Sequence, residues 1–243
     1  MMLKLIKFTK DAILFFPITL VLSPLSKAFL FIAHLNKLIR WIYNNKSTLL
    51  YNDFYSPLRS YSKRFQLYAF LTTHYQLENE SITYLEFGVA SGVSFNWWKE
   101  KNKQPNSYFF GFDTFEGLPE DWGGIYKKGA MAADMPEMTD PRTKFIKGLF
   151  QDTLNDFIDS NLSILQQKQR KIIHLDADLY TATAFTLSQL ARFLKKDDLI
   201  LFDEFSVPLH EFKAFSEFTS IFPVKLKPVA AVNNFYQTAF IVG

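Results

Sequence analysis

The sequence predicts an α/β fold in which a mostly parallel sheet carries helices on both faces and finishes in an antiparallel hairpin. Two observations lead there. From residue 83 onward, short runs rich in β-branched and aromatic residues alternate with helical stretches, the pattern of strands joined by crossover helices. In addition, Tyr84-Leu-Glu-Phe-Gly-Val-Ala-Ser-Gly-Val-Ser94 reads as a buried strand that runs through a glycine turn into a helix. The chain of 243 residues is 48% apolar and 21% charged, which supports a large core and excludes a disordered chain. Its 27 phenylalanines point to an aromatic core or an aromatic-lined pocket. A net charge of only +3 argues against nucleic acid as a partner, and the absence of cysteine excludes disulfides, thiolate metal sites and a cysteine nucleophile.

Residues 1–50 read as an apolar and basic helical extension, and residues 51–243 as the α/β domain. Lys4, Lys7 and Lys10 precede an uncharged run from Ala12 to Ser26 that Pro17 and Pro24 interrupt. That run is too short and too proline-broken to span a bilayer. It resembles a signal-peptide core, yet no small-x-small cleavage site follows it. A second apolar block, Ala28 to Ile42, places Phe31, Ile32, Leu35, Leu38, Ile39 and Ile42 at helical spacing, with a basic opposite face and Lys27, Lys37 and Arg40 in and beside it. Two readings stand for this extension. One is a helical cap on the domain or a contact in a homodimer. The other is a peripheral anchor on the inner face of the cytoplasmic membrane, held by apolar burial and lysine attraction to anionic lipid. Both place the domain in the cytoplasm.

The expected strands are Thr83–Val89, Ser107–Asp113, Lys144–Gly148, Lys171–Asp176 and Asp198–Asp203, followed by Pro223–Val232 and Phe235–Val242. Helices are expected over Ser91–Lys101, Thr153–Gln167 and Thr181–Leu194, with Ser91 or Ser94 as the cap of the first. Asn233-Asn234 is expected to be a two-residue hairpin turn that leaves the last strands as an antiparallel edge. Between the second and third strands, residues about 114–142 contain Gly117, Pro119, Gly123, Gly124, Gly129, Trp122 and several acids. A connection of that length inside a domain points to a substrate lid with glycine hinges, the alternative being a plain surface loop.

Ligands of open parallel sheets bind beyond the carboxyl ends of the strands. Here those ends carry Glu86 with the glycine turn, Asp113, Gln151 with Asp152, Asp176, and Asp203 with Glu204. The turn lets a ligand approach Gly88, Ala90, Ser91 and Gly92 closely, and it points helix N–H groups at that ligand. Asp113 is placed to accept both hydroxyls of a ribose. Asp176, Asp203 and Glu204 form a candidate set of three oxygen ligands, which suits Mg²⁺ better than zinc. His174 lies in an apolar strand and reads first as a core residue, whereas His210 follows the acidic pair on a loop and is a candidate base. The turn has Ala90 where a dinucleotide fingerprint needs its second glycine, which weighs against a nicotinamide-dependent oxidoreductase. A non-catalytic, membrane-associated protein that kept a cofactor fold is the alternative from a different class.

Four stretches resemble class I S-adenosylmethionine-dependent methyltransferases, and more narrowly the macrocin O-methyltransferase family. They are Leu85–Gly92, Gly111-Phe-Asp-Thr-Phe-Glu-Gly-Leu-Pro119, Lys147–Leu154 and His174-Leu-Asp-Ala-Asp-Leu-Tyr180. The resemblance covers roughly residues 80–243. It implies a Rossmann-like, seven-stranded, mostly parallel sheet with an antiparallel last strand. It also implies O-methylation of a sugar hydroxyl, with a small-molecule or glycan acceptor bearing vicinal hydroxyls. By carry-over, Glu86 through Ser94 line the methionine end of S-adenosylmethionine, Asp113 holds the ribose, and Gln151 with Asp152 flanks the adenine. Asp176, Asp203 and Glu204 bind Mg²⁺, although the family has an aspartate or asparagine where this chain has Glu204. Asp176, or His210 in second place, takes the proton of the acceptor hydroxyl.

Overall fold

The computed structural model describes residues 2–122, 126–137 and 139–243. Among the described residues eight strands form one sheet: β1 (Tyr51–Asn52), β2 (Ile82–Phe87), β3 (Tyr108–Asp113), β4 (Thr143–Lys147), β5 (Arg170–Leu175), β6 (Leu199–Phe202), β7 (Leu226–Val232) and β8 (Gln237–Val242). Their spatial order is β1-β7-β8-β6-β5-β2-β3-β4. All neighbouring pairs are parallel except those of β8, which runs antiparallel to both β6 and β7. The strand order reverses where β2 lies between β5 and β3, and such a reversal opens a crevice at the carboxyl ends of the strands.

The helices are α1 (Met2–Phe15), α2 (Ser26–Asn45), α3 (Lys63–His74), α4 (Val93–Lys101), α5 (Phe150–Ser160), α6 (Leu162–Leu165), α7 (Tyr180–Leu190) and α8 (Glu211–Ile221). Strand alternation divides the core between two faces. Leu85, Phe87, Ile173, Leu175, Ile200 and Phe202 point to a layer made by α2, α5, α7 and α8. Tyr84, Ile172, Leu199 and Leu201 point the other way, onto Leu67, Tyr68 and Leu71 of α3 and Phe95 and Trp98 of α4. The expected aromatic core is present, with Trp41 of α2 seated among Phe205, Phe215, Phe235 and Phe240.

Several expectations are corrected in detail. The sheet has eight strands because the two residues of β1 pair with Ala230 and Ala231 of β7. The last strand is interior, inserted between β6 and β7, and the edge beyond it is made by β7 and β1. The hairpin turn spans Asn233–Tyr236 rather than two residues, with Asn233, Asn234 and Phe235 all at positive φ. No serine caps α4. It starts from Gly92 in the left-handed region, and the Ser94 hydroxyl faces Arg64 and Tyr68 instead.

Candidate active site

The turn after β2 is shaped by backbone contact and by one carboxylate. Gly88 has φ +97°, and a Cβ at that position would lie 1.8 Å from the Asp176 carbonyl oxygen, so no side chain fits. Asp113, at the end of β3, accepts hydrogen bonds from the Val89 and Ala90 amides at 2.8 and 2.7 Å and from the Phe115 amide at 2.8 Å. Beside this turn opens a cleft with about 760 Å³ of empty space, the size range of small-molecule sites. Gly88, Ala90, Asp113, Gln151, Asp176 and Asp178 supply its polar wall. Leu118, Pro119, Met131, Phe150 and Leu179 supply apolar surface. Three of the wall residues hold positive φ without being glycine: Ala90, Met131 and Asp178. Such conformations gather at binding sites.

The long connection after β3 folds back on itself. Leu118 exchanges hydrogen bonds with Gly129 and Ala130, and Trp122 does so with Tyr126. Gly117 permits the close approach at the base, since a Cβ there would lie 2.3 Å from the Ala130 carbonyl oxygen. The base of this hairpin, through Leu118, Pro119 and Met131, forms part of the cleft wall. Gly123 and Gly124, expected as hinges, lie outside the described residues.

Next to the cleft, the ends of β5 and β6 and the start of α8 bring five carboxyl groups together: Asp176, Asp178, Asp203, Glu204 and Glu211. Burial, followed by the charge of Asp203, pushes Asp176 well above the carboxylate range. Burial, then Asp203 and Asp113, push Asp178 up to about 7. Glu204 and Glu211 are also pushed up, first by burial. Arg64 from α3 offsets part of this charge, with guanidinium nitrogens 3.6 Å from Asp176 and 3.4 Å from Asp203. Gln237 donates to Asp203 Oδ2 at 3.3 Å, and the Tyr61 hydroxyl donates to Glu204 Oε1 at 3.2 Å. Three buried oxygens accept no hydrogen bond: Asp203 Oδ1, which lies 3.9 Å from His174 Nε2, Glu204 Oε2 and Glu211 Oε1.

Unpartnered buried carboxylate oxygens are costly unless a cation joins them. An all-oxygen set such as Asp176, Asp178 and Glu204 suits Mg²⁺, so these residues fit the ion that the sequence led us to expect. Candidate ligand atoms lie within 4.8 Å of one another in two groups that share Asp176. One contains His174, Asp176 and Asp203, and the other Asp176, Asp178 and Glu204. The longer side chain of Glu204 therefore still reaches the aspartates.

The sequence model of a family described as a methyltransferase domain matches residues 85–205, from the central strand to the residue after the acidic pair. Residues 85–205 are a methyltransferase domain. The fold resembles that of CalS11, a calicheamicin methyltransferase, with TM-score 0.57 and 17% identity over 86% of this chain and 91% of that one. An apo structure of CalS11, there described as a TDP-rhamnose 3'-O-methyltransferase, gives TM-score 0.51 and 17% identity over 86% and 93%. These likenesses show a shared fold. No curated protein matches the chain in sequence.

Within the methyltransferase domain the expected residues divide into three sets. Gly88, Ala90, Asp113, Gln151 and Asp176 line the cleft. Asp176, Asp203 and Glu204 belong to the acidic cluster. The remainder lie elsewhere. Glu86 is buried on the α3–α4 side, where it accepts a short hydrogen bond from Tyr84 and lies 3.8 Å from His174. Ser94 is buried against Arg64, Gly92 sits beneath Pro136, and Ser91 and Asp152 are exposed without lining the cleft. His210 stands 6.3 Å from the Trp122 ring. Burial lowers its pKa, and its charged neighbours are Glu120 and Lys213 rather than the acidic cluster. His174 is a buried residue bonded to Tyr84 and Tyr68 at 2.8 and 3.3 Å. Burial pulls its pKa down, but Asp203 and Glu86 outweigh that and push it up to about 10. Asp178, Glu211, Arg64 and Tyr61 were not expected from sequence.

Proposed function

We propose that this chain is an S-adenosylmethionine-dependent O-methyltransferase of the macrocin type, acting on a hydroxyl of a sugar-like small molecule with Mg²⁺ assistance. One observation carries the reading: Asp176 and Asp178 belong both to the open cleft beside the glycine turn and to the acidic cluster, so the two halves of a transfer reaction meet at these two side chains. When bound, the sulfonium supplies an electrophilic methyl group and the cation lowers the pKa of the acceptor hydroxyl. The residues of the chain do the rest. Gly88 and Ala90 let the donor lie against the backbone, Asp113 holds both the turn and the ribose, and Gln151 borders the adenine. Asp176, Asp178 and Glu204 would hold the cation with Asp203 beside them, and Asp176 also orients the acceptor and takes its proton. His210, which faces the Trp122 hairpin, is not needed as a base.

A second reading, transfer without metal, is favoured by Arg64, which already stands between Asp176 and Asp203. Calorimetry with S-adenosylmethionine, followed by labelled methyl transfer to a panel of free and nucleotide-linked sugars, tests the proposal. Donor binding together with EDTA-sensitive transfer is expected. Transfer unaffected by EDTA selects the Arg64 reading, and failure of the donor to bind overturns both.

A further inference from the structure

We infer that residues 2–32 dock on an anionic membrane surface, lying in it as a peripheral anchor without crossing it. Nothing in this inference depends on the chemistry of the cleft. The segment is unusually exposed for its composition. Phe8, Phe15 and Val21 are 71%, 77% and 79% accessible, and α1 has no buried residue. Exposed apolar surface on this scale marks an interaction site.

Charge identifies the occupant. Residues 1–50 contain seven lysines and arginines and a single acid, Asp11, whereas the chain as a whole is only +3. On α1, Leu5, Phe8, Ala12 and Phe15 share one helical face, and Lys7 and Lys10 lie across from it. An apolar face beside a lysine face is the arrangement of helices that lie in a lipid interface. A second copy of the same segment is a poor partner, because two strongly basic arms repel.

A second feature continues the basic surface. A groove with about 1160 Å³ of empty space runs between α2, α8 and the start of β7, lined by Lys37, Arg40, Lys225 and Lys227 and by no acid. None of these four pairs with an acidic side chain among the described residues. Lys37 is five residues beyond Ile32, about 7.5 Å along the helix, so the groove lies near the level at which lipid headgroups would meet the apolar arm.

Spanning is excluded by packing. Thr19–Asn45 is long and apolar enough to cross a membrane. But His34, Leu38 and Ile42 are buried against the domain, and Trp41 is seated in its aromatic core. The part left free, residues 19–33, would reach only about 22 Å even as a regular helix. A hydrocarbon core is roughly 30 Å thick.

The test is flotation of the full chain with vesicles of phosphatidylcholine alone and with roughly one third phosphatidylglycerol. Binding to the anionic vesicles and release by high salt are expected. Each lysine near such a surface contributes about fivefold, so Lys4→Gln/Lys7→Gln/Lys10→Gln should weaken partitioning roughly 100-fold and Lys225→Gln/Lys227→Gln roughly 20-fold. All five lysines are solvent-facing or groove-lining, and unchanged thermal melting confirms that the variants fold. Equal binding to neutral vesicles overturns the inference. So does retention through an alkaline carbonate wash, or a soluble dimer by light scattering with no vesicle binding.

Discussion

The two halves of the sheet's carboxyl rim carry the same type of side chain and treat it in opposite ways. On the side of β2, β3 and β4, the carboxylate that lines the cleft, Asp113, has its donors inside the protein, and so do the acids near it in the sheet. Asp113 accepts three backbone amides, Glu86 inside β2 is met by Tyr84, and Asp140, at the opposite rim before the amino end of β4, is held by Arg142. On the side of β5 and β6, carboxylates crowd together, burial pushes them above their ordinary range, and three oxygens lack a donor. The first half uses acids as scaffolding that fixes the shape of a cleft. The second keeps them short of positive charge, which makes it the half that awaits something from outside. Asp176 stands on the boundary.

The largest effect that would break this division is at the boundary itself. Asp176→Asn should lower methyl transfer about 10³-fold while donor affinity by calorimetry stays within a few-fold of wild type. Near-normal turnover in that variant would mean that the two halves do not share a reaction. Gly88→Ala tests the scaffold half. Its new methyl group would meet the Asp176 carbonyl oxygen, and a loss of about 3 kcal/mol or more in chemical denaturation is expected. A loss below about 1 kcal/mol would show that the turn can relax.

On the charge-hungry half, Glu204→Gln should weaken Mg²⁺ binding to the full chain about 10- to 100-fold by calorimetry, since it removes one charge from the group shared with Asp176 and Asp178. An unchanged affinity would place the ion elsewhere. The smallest effect lies at Asp140. Hydrogen bonds from Arg142 hold its pKa below the ordinary value of 3.8. A carboxylate held low adds stability above its unfolded pKa and loses it as the pH falls through the folded one. Asp140→Asn should therefore cost about 1 kcal/mol near neutral pH and almost nothing in strong acid, as read from denaturation curves across pH. A constant cost at every pH would argue that shape, not charge, holds that corner.

Much of the sheet was legible because its strands are apolar runs bounded by polar ends, and those polar ends are the rim. The order of the last strands was harder to read. Thr238-Ala-Phe-Ile-Val242 is a nearly continuous apolar run, the mark of a strand buried on both faces, yet a hairpin turn beside it drew the reading toward an edge. Strand β1 is only two residues long and owes its existence to β7, so no local pattern could show it. In the site, the residues at strand ends were found and the residues that answer them were not. Arg64 and Tyr61 come from a stretch with no motif of its own and reach the acids only through the packing of α3. Glu211 looks like an ordinary solvent-facing acid in the first turn of a helix, and only the fold buries it. Asp178 stood inside the quoted motif, but its left-handed backbone and its place in the cleft wall are three-dimensional facts.

The half-docked helix α2 also sets where this protein can be shortened. Removal of the chain up to residue 32 would strip away greasy, basic sequence and leave the packed turns from His34 onward in place. Removal up to residue 45 would take Trp41 out of its nest and leave a gap against Phe205, whose backbone directly follows Glu204. A crystallographer or enzymologist seeking a more soluble form should cut before the first point and never reach the second, because the segment that looks most dispensable ends as a wall of the room beneath the acids.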